Sequence, residues 1–76
     1  AGRRYDFILA NINRNVLVAD MPAYAAALVP GGDLVMSGFL EADTAAVTQA
    51  AAEQGMETVA AEIREGWMMI RVKKKK

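Results

Sequence analysis

Tyr5-Asp6-Phe7-Ile8-Leu9-Ala10-Asn11-Ile12-Asn13 is an apolar run of strand length that ends in amides, and its reading decides the fold. Over residues 7–12 the run is continuous, bulky and too short for a helix. That is the pattern of a buried strand of the parallel type, covered on both faces. A second segment repeats the design in Pro30-Gly31-Gly32-Asp33-Leu34-Val35-Met36-Ser37-Gly38, where residues 34–36 form the strand and Ser37-Gly38 its polar end. One helix-length stretch separates the two. Short apolar strands with adjacent polar carboxyl ends are how an α/β nucleotide-type site is usually built, because ligands of open α/β sheets bind outside those ends.

Between the two segments, residues 16–29 are apolar and Ala-rich. Asp20 as N-cap and Pro22 in the first turn, where a missing N–H is harmless, predict a helix over residues 20–28. A start at Arg14 would put Pro22 inside the helix and kink it. Pro30-Gly31-Gly32 then stops the helix and turns the chain. It is no phosphate loop, since it follows a helix instead of preceding one.

A second helix is predicted over residues 42–54, with Glu41, Asp43 and Thr44 as candidate caps and Gly55 as its stop. From Glu57 the period changes to two. Val59, Ala61 and Ile63 alternate with polar or small residues, which predicts a half-buried strand. Glu65-Gly66 is a tight connection, and residues 67–72 return as an antiparallel hairpin partner. The fold class is therefore α/β: about four strands, two parallel plus a C-terminal antiparallel hairpin. Right-handed crossovers put both helices on one face of the sheet. The other face then has no helix of its own. Ile8, Ala10 or their neighbours, with Trp67 and Met69 or Met68 and Ile70, would expose apolar surface there, and the first strand is an open apolar edge. Both features call for a partner, either a missing half-domain of the same protein or a second copy in a homodimer.

The 76 residues suffice for a single small domain, 1–76. A chain of this size buries only about 60% of the surface its unfolded form exposes, so the core is thin. Nine Lys plus Arg balance nine Asp plus Glu, which argues against a whole-chain field for nucleic acid or membrane. With neither Cys nor His, disulfides, thiolate metal sites and histidine acid/base chemistry are excluded, and no metal site is expected. No apolar run approaches the roughly 20 residues that cross a bilayer, and Gly2-Arg3-Arg4 does not open a signal peptide. A cytoplasmic location is the default expectation.

Tyr5 to Ile12, the helix leading into Leu28-Val29-Pro30-Gly31-Gly32, the Leu34-Val35-Met36-Ser37-Gly38-Phe39-Leu40 strand and Gly66-Trp67 opening the last strand together resemble the carboxyl half of class I S-adenosylmethionine-dependent methyltransferase domains. The likeness is greatest to the bacterial methyltransferases of protein 11 of the large ribosomal subunit. It implies a Rossmann-like half-domain, with the last strand inserted antiparallel between the second and third. It also implies methyl transfer from S-adenosylmethionine to amines of a ribosomal protein, with the cofactor across the carboxyl ends of the parallel strands. Asn11 then matches the position beside the methionine part of the cofactor and the incoming amine. An amide suits that place, because its carbonyl can accept a hydrogen bond from an amine and orient the nitrogen lone pair. Asn11 is thus the candidate catalytic residue, and Asn11 and Ile12 the candidate cofactor contacts. Asn13, Ser37 and Gly38 are the candidate substrate contacts.

The family's glycine-rich loop, its acidic ribose-binding residue and its substrate-recruiting domain do not occur in these 76 residues. The chain alone is therefore expected to be inactive and not to hold the cofactor.

Simpler readings stand beside these. Asn11 and Asn13 are also residues that close strands as turns. Ser37 has no histidine to activate it, so hydrogen bonding is the most it can offer. Trp67, Met68 and Met69 read as core. Residues 73–76 form a basic tail, which reads as a disordered solubilising end or a cloning remnant in preference to a contact with ribosomal RNA. Two other functions remain open: a non-catalytic, self-associating or partner-binding module, and half of another Rossmann-like enzyme.

Overall fold

The computed structural model describes residues 4–75. Gly2 and Arg3 at the basic start, and Lys76 at the basic end, lie outside them. The elements run β1 (Tyr5–Asn11), α1 (Arg14–Ala27), β2 (Leu28–Leu40), a 3-10 turn (Glu41–Asp43), α2 (Thr44–Glu53), β3 (Met56–Arg64) and β4 (Trp67–Lys74). One four-stranded sheet is ordered β1-β2-β4-β3, with β1 and β2 parallel and β4 antiparallel to both its neighbours. The α/β class, the parallel pair and the hairpin are as the sequence pattern predicts, and the inserted last strand is as the resemblance implies.

Both helices cover the same face. Leu17, Met21 and Ala25 recur every four residues along α1, and with Val47 and Ala51 of α2 they form one buried cluster with Leu34, Met36, Met68, Ile70 and Val72 of the sheet. The hairpin turns on Glu65 and Gly66, both at positive φ (53° and 85°). That conformation matches the right-handed twist of the flanking strands.

Helix α1 begins at Arg14, six residues before the expected start at Asp20, and Pro22 lies inside it. The reason is capping. Asn13 Oδ1 accepts a hydrogen bond from the Val16 N–H at 3.0 Å, which gives the helix a start that Asp20 would have had to outcompete. Pro22 is tolerated because it and Val18, whose carbonyl loses its partner, are both on the exposed side. Water can satisfy that carbonyl.

Strand β1 is covered on one face only, correcting the expectation of two. Ala10 is buried, but Phe7 and Leu9 are exposed, Leu9 at 66%. A continuous apolar run carries no record of which face has a covering layer. Strand β3 is likewise not half-buried: it is an edge strand of the sheet in which only Met56 is buried.

Pro30-Gly31-Gly32 does not separate helix from strand. Helix α1 ends at Ala27 in an extended cap, and the three residues lie within β2, where its register to β1 slips between the Tyr5–Leu28 and Phe7–Asp33 pairs. Two residues of the basic tail are also ordered. Lys74 Nζ donates to the Ala25 and Leu28 carbonyls at 2.6 and 2.9 Å, and Lys73 Nζ donates to the Gly31 carbonyl at 3.2 Å. A cation on the last carbonyls of a helix satisfies groups that have no partner of their own and complements the helix dipole.

Candidate functional site

The parallel pairing of β1 and β2 ends at Asn11 and Ser37, while β2 itself runs on to Leu40, so that Ser37-Gly38 lies inside the strand instead of closing it as the sequence predicts. Asn11 of β1 pairs with Ser37 of β2, and the Ile12 N–H donates to the Ser37 carbonyl at 3.2 Å, which carries the pairing one residue past the end of β1. The chain then leaves β1 into α1 through the Asn13 cap, while β2 bulges at Gly38. There the register to β4 slips between the Ser37–Met69 and Phe39–Met68 pairs. Such a bulge adds an unpaired residue and re-aims its strand. The two chain exits are clipped together where Arg14 Nε meets Asp43 Oδ1 at 3.6 Å, an exposed and weak contact.

These exits frame a cavity of about 510 Å³ lined by Asn11, Ile12, Asn13, Ser37, Gly38 and Trp67. All five residues expected from the sequence are therefore brought together. Trp67 is the addition, since its sequence reading was core. It stands 54% exposed at the start of β4, and the signal for it was Gly66-Trp67 at the mouth of the final strand. Met68 is buried as expected, whereas Met69 is exposed and lines an adjoining cavity of about 260 Å³ that shares Ser37 and Trp67 with the first.

No lining group of the larger cavity titrates near neutral pH. Its chemistry rests on neutral donors and acceptors: the Asn11 amide, the Ser37 hydroxyl, the indole N–H and backbone peptides. Asn13 is less free than Asn11, because its carbonyl oxygen is already taken by the helix cap. Among the described residues, no group of three acidic, Cys or His side chains could hold a metal ion. A perturbed carboxylate lies elsewhere, on the bare face. Asp33 accepts from Arg71 Nε and Nη2 at 3.2 and 3.0 Å, and these bonds, with Lys73 at 3.2 Å, hold its carboxyl below the usual carboxylate range.

The cavity lies where the parallel pairing of β1 and β2 ends, with Asn11-Ile12 on one side and the Ser37-Gly38 bulge on the other. The family model for ribosomal protein L11 methyltransferase (PrmA) matches residues 1–75. The chain belongs to this family. Among curated ribosomal protein L11 methyltransferases it is 42% identical over 71 residues to that of Phocaeicola vulgatus, covering 92% of the chain and 25% of the relative. To the ribosomal protein L11 methyltransferase of Chromohalobacter salexigens it is 43% identical over 70 residues, covering 92% and 23%. The chain thus spans about a quarter of the length of these relatives.

Among solved structures, the ribosomal protein L11 methylase of Lactobacillus delbrueckii subsp. bulgaricus superposes with a TM-score of 0.91 at 22% identity, over 100% of this chain and 40% of that one. A methyltransferase of Pyrococcus furiosus gives 0.77 at 15% identity, over 100% and 44%. At these identities the likeness is one of fold, and it supports the Rossmann-like α/β class. No helix of the described residues is long and apolar enough to cross a membrane.

Proposed function

We propose that the chain forms one wall of the active site of an S-adenosylmethionine-dependent protein methyltransferase that modifies amines of a ribosomal protein in the cytoplasm. The observation that carries this reading is the exposed Asn11 amide, set among neutral polar groups in the cavity where the parallel pairing ends. Asn11 Oδ1 accepts a hydrogen bond from the incoming amine and aims its lone pair, which is catalysis by positioning. Ile12 contributes peptide groups and an apolar wall to the cofactor side. Ser37 offers a hydroxyl to the acceptor and Trp67 an aromatic side to its aliphatic stem.

When bound, S-adenosylmethionine supplies an electrophilic methyl group on a positively charged sulfur. The residues present fit one flank of it, since the Asn11 amide, the Ser37 hydroxyl and the Trp67 indole line the cavity with neutral polar groups and an aromatic side. They do not enclose it, because no glycine-rich loop stands in the chain.

The test compares the gene product that carries this chain with its Asn11→Ala variant, reading methyl groups added to ribosomal protein L11 by mass spectrometry. The variant should lose about a hundredfold in kcat, the scale of a lost positioning contact. An unchanged kcat rejects Asn11 as the amine-orienting group. In calorimetry, S-adenosylmethionine should give no signal with the 76-residue chain alone.

A second reading concerns the isolated chain and follows from Phe7 and Leu9, which are exposed along the β1 edge. Here β1 and the bare face act as a self-association surface, pairing two copies of the chain in a homodimer.

A further inference from the structure

Gly38 is the residue of the site whose missing side chain has a measurable consequence. Its φ is +92°, a conformation that favours glycine, and it is the extra residue of the bulge in β2. A Cβ built there would stand 2.7 Å from Asn11 Oδ1, 3.0 Å from the Ile12 carbonyl oxygen and 3.1 Å from the Ile12 nitrogen. The backbone contacts cannot yield cheaply, because the Ile12 N–H is held by the Ser37 carbonyl. The cheapest relief is rotation of the Asn11 amide away from β2. That movement would re-aim the one group proposed to orient the amine.

We infer that Gly38 is a positioning residue: it acts through Asn11, by leaving the space in which the Asn11 carboxamide lies over the bulge in β2, and not by touching the substrate. The inference rests on the proposed role of Asn11. It also reassigns Gly38, which the sequence placed among the substrate contacts.

The molecule supplies its own control in Gly55. That residue also has a positive φ, +77°, but a Cβ there would meet nothing within 4 Å. Alanine at Gly55 imposes the backbone strain without the crowding, and Gly55 lies far along the chain from the cavity residues.

The experiment is a double-mutant cycle on the gene product that carries this chain, measuring kcat for methylation of ribosomal protein L11. Gly38→Ala should lower kcat about a hundredfold, as misplacement by an ångström does. Gly55→Ala should leave kcat at its starting value. In an Asn11→Ala background, Gly38→Ala should lower the residual kcat less than about threefold, because the group it displaces is gone. Should Gly38→Ala not fold, Gly38→Asn carries a Cβ to the same place on a residue that tolerates positive φ better.

Two results overturn the inference. One is a wild-type kcat in Gly38→Ala, and the other is an equal fold-loss with and without the Asn11 amide, which would make Gly38 a contact in its own right. An Asn11→Ala variant with undiminished kcat instead rejects the proposed role of Asn11 and takes the positioning role with it. The single-mutant arm thus separates the two failures.

Discussion

On the helix side of the sheet Leu34, Met36, Ile70 and Val72 are fully buried, whereas one residue away on the same strands Val35, Met69 and Arg71 face outward. The two faces differ in more than burial. The buried residues of the helix side are all apolar. The bare side is mixed, with Phe7 and Leu9 on β1, Val35 on β2 and Trp67 and Met69 on β4 set against Asp33 on β2, Arg71 and Lys73 on β4 and Glu57 and Glu62 on β3. A face evolved for water alone would not expose large apolar residues on an open edge strand. The chain's thin core thus lies entirely on one side, and the other side keeps an apolar surface beside β1.

The largest test of this contrast exchanges neighbours across the sheet. Ile70→Ala should destabilise the 76-residue chain by about 2–5 kcal/mol in urea unfolding, because it empties a fully buried position. Met69→Ala should cost under about 1 kcal/mol. A small core supplies only about 3–5 kcal/mol in total, so the Ile70 variant should be largely unfolded at room temperature. Comparable losses for the two variants would break the distinction between the faces.

Sedimentation sharpens the same contrast at the β1 edge. The chain should show a concentration-dependent increase in mass, and Leu9→Lys should abolish it while changing stability by under about 0.5 kcal/mol. A strictly monomeric chain at every concentration would remove the second reading.

The smallest effect is expected at Asp33. Its native pKa is depressed, chiefly by the hydrogen bonds from Arg71, so the stabilisation it brings is present above the ordinary aspartate value. It is lost as pH falls through the lower native value. The stability gap between the chain and its Asp33→Asn variant should therefore be constant near neutrality and close from about pH 4 downward. A gap that stays open in acid would show that Asp33 acts through something other than its charge.

The meeting of Asn11 with Ser37 was legible because two short apolar runs joined by one helix pair in parallel; the length of β2, which runs from Leu28 to Leu40 through Ser37-Gly38, was not. Glu65-Gly66 was legible as a turn for an equally local reason. The start of α1 was not, because two local signals competed and Pro22 spoke louder than the Asn13 cap. The two-faced covering read for β1 was wrong since Phe7 and Leu9 are as apolar as any core residue, whereas the bare face itself was legible from the handedness of the crossovers. At Gly38 the sequence shows a glycine but not a bulge, which arises only when β2 must pair with β1 and β4 at once. Trp67 was read as core because indoles usually are.

The order β1-β2-β4-β3 has a consequence for how the protein comes into being. Strand β4 is the last to be synthesised, yet it occupies an inner place between β2 and β3. Until Trp67 to Lys74 has emerged, β2 has an unsatisfied side and the buried cluster lacks Met68, Ile70 and Val72. The β3–β4 hairpin closes through a two-residue turn and can form within microseconds, but its docking on β2 joins residues 33 and 73 across most of the chain. The sheet therefore waits, half-assembled, for the eight residues of β4, and the cavity beside Asn11 and Ser37 gains Trp67 only in that closing step.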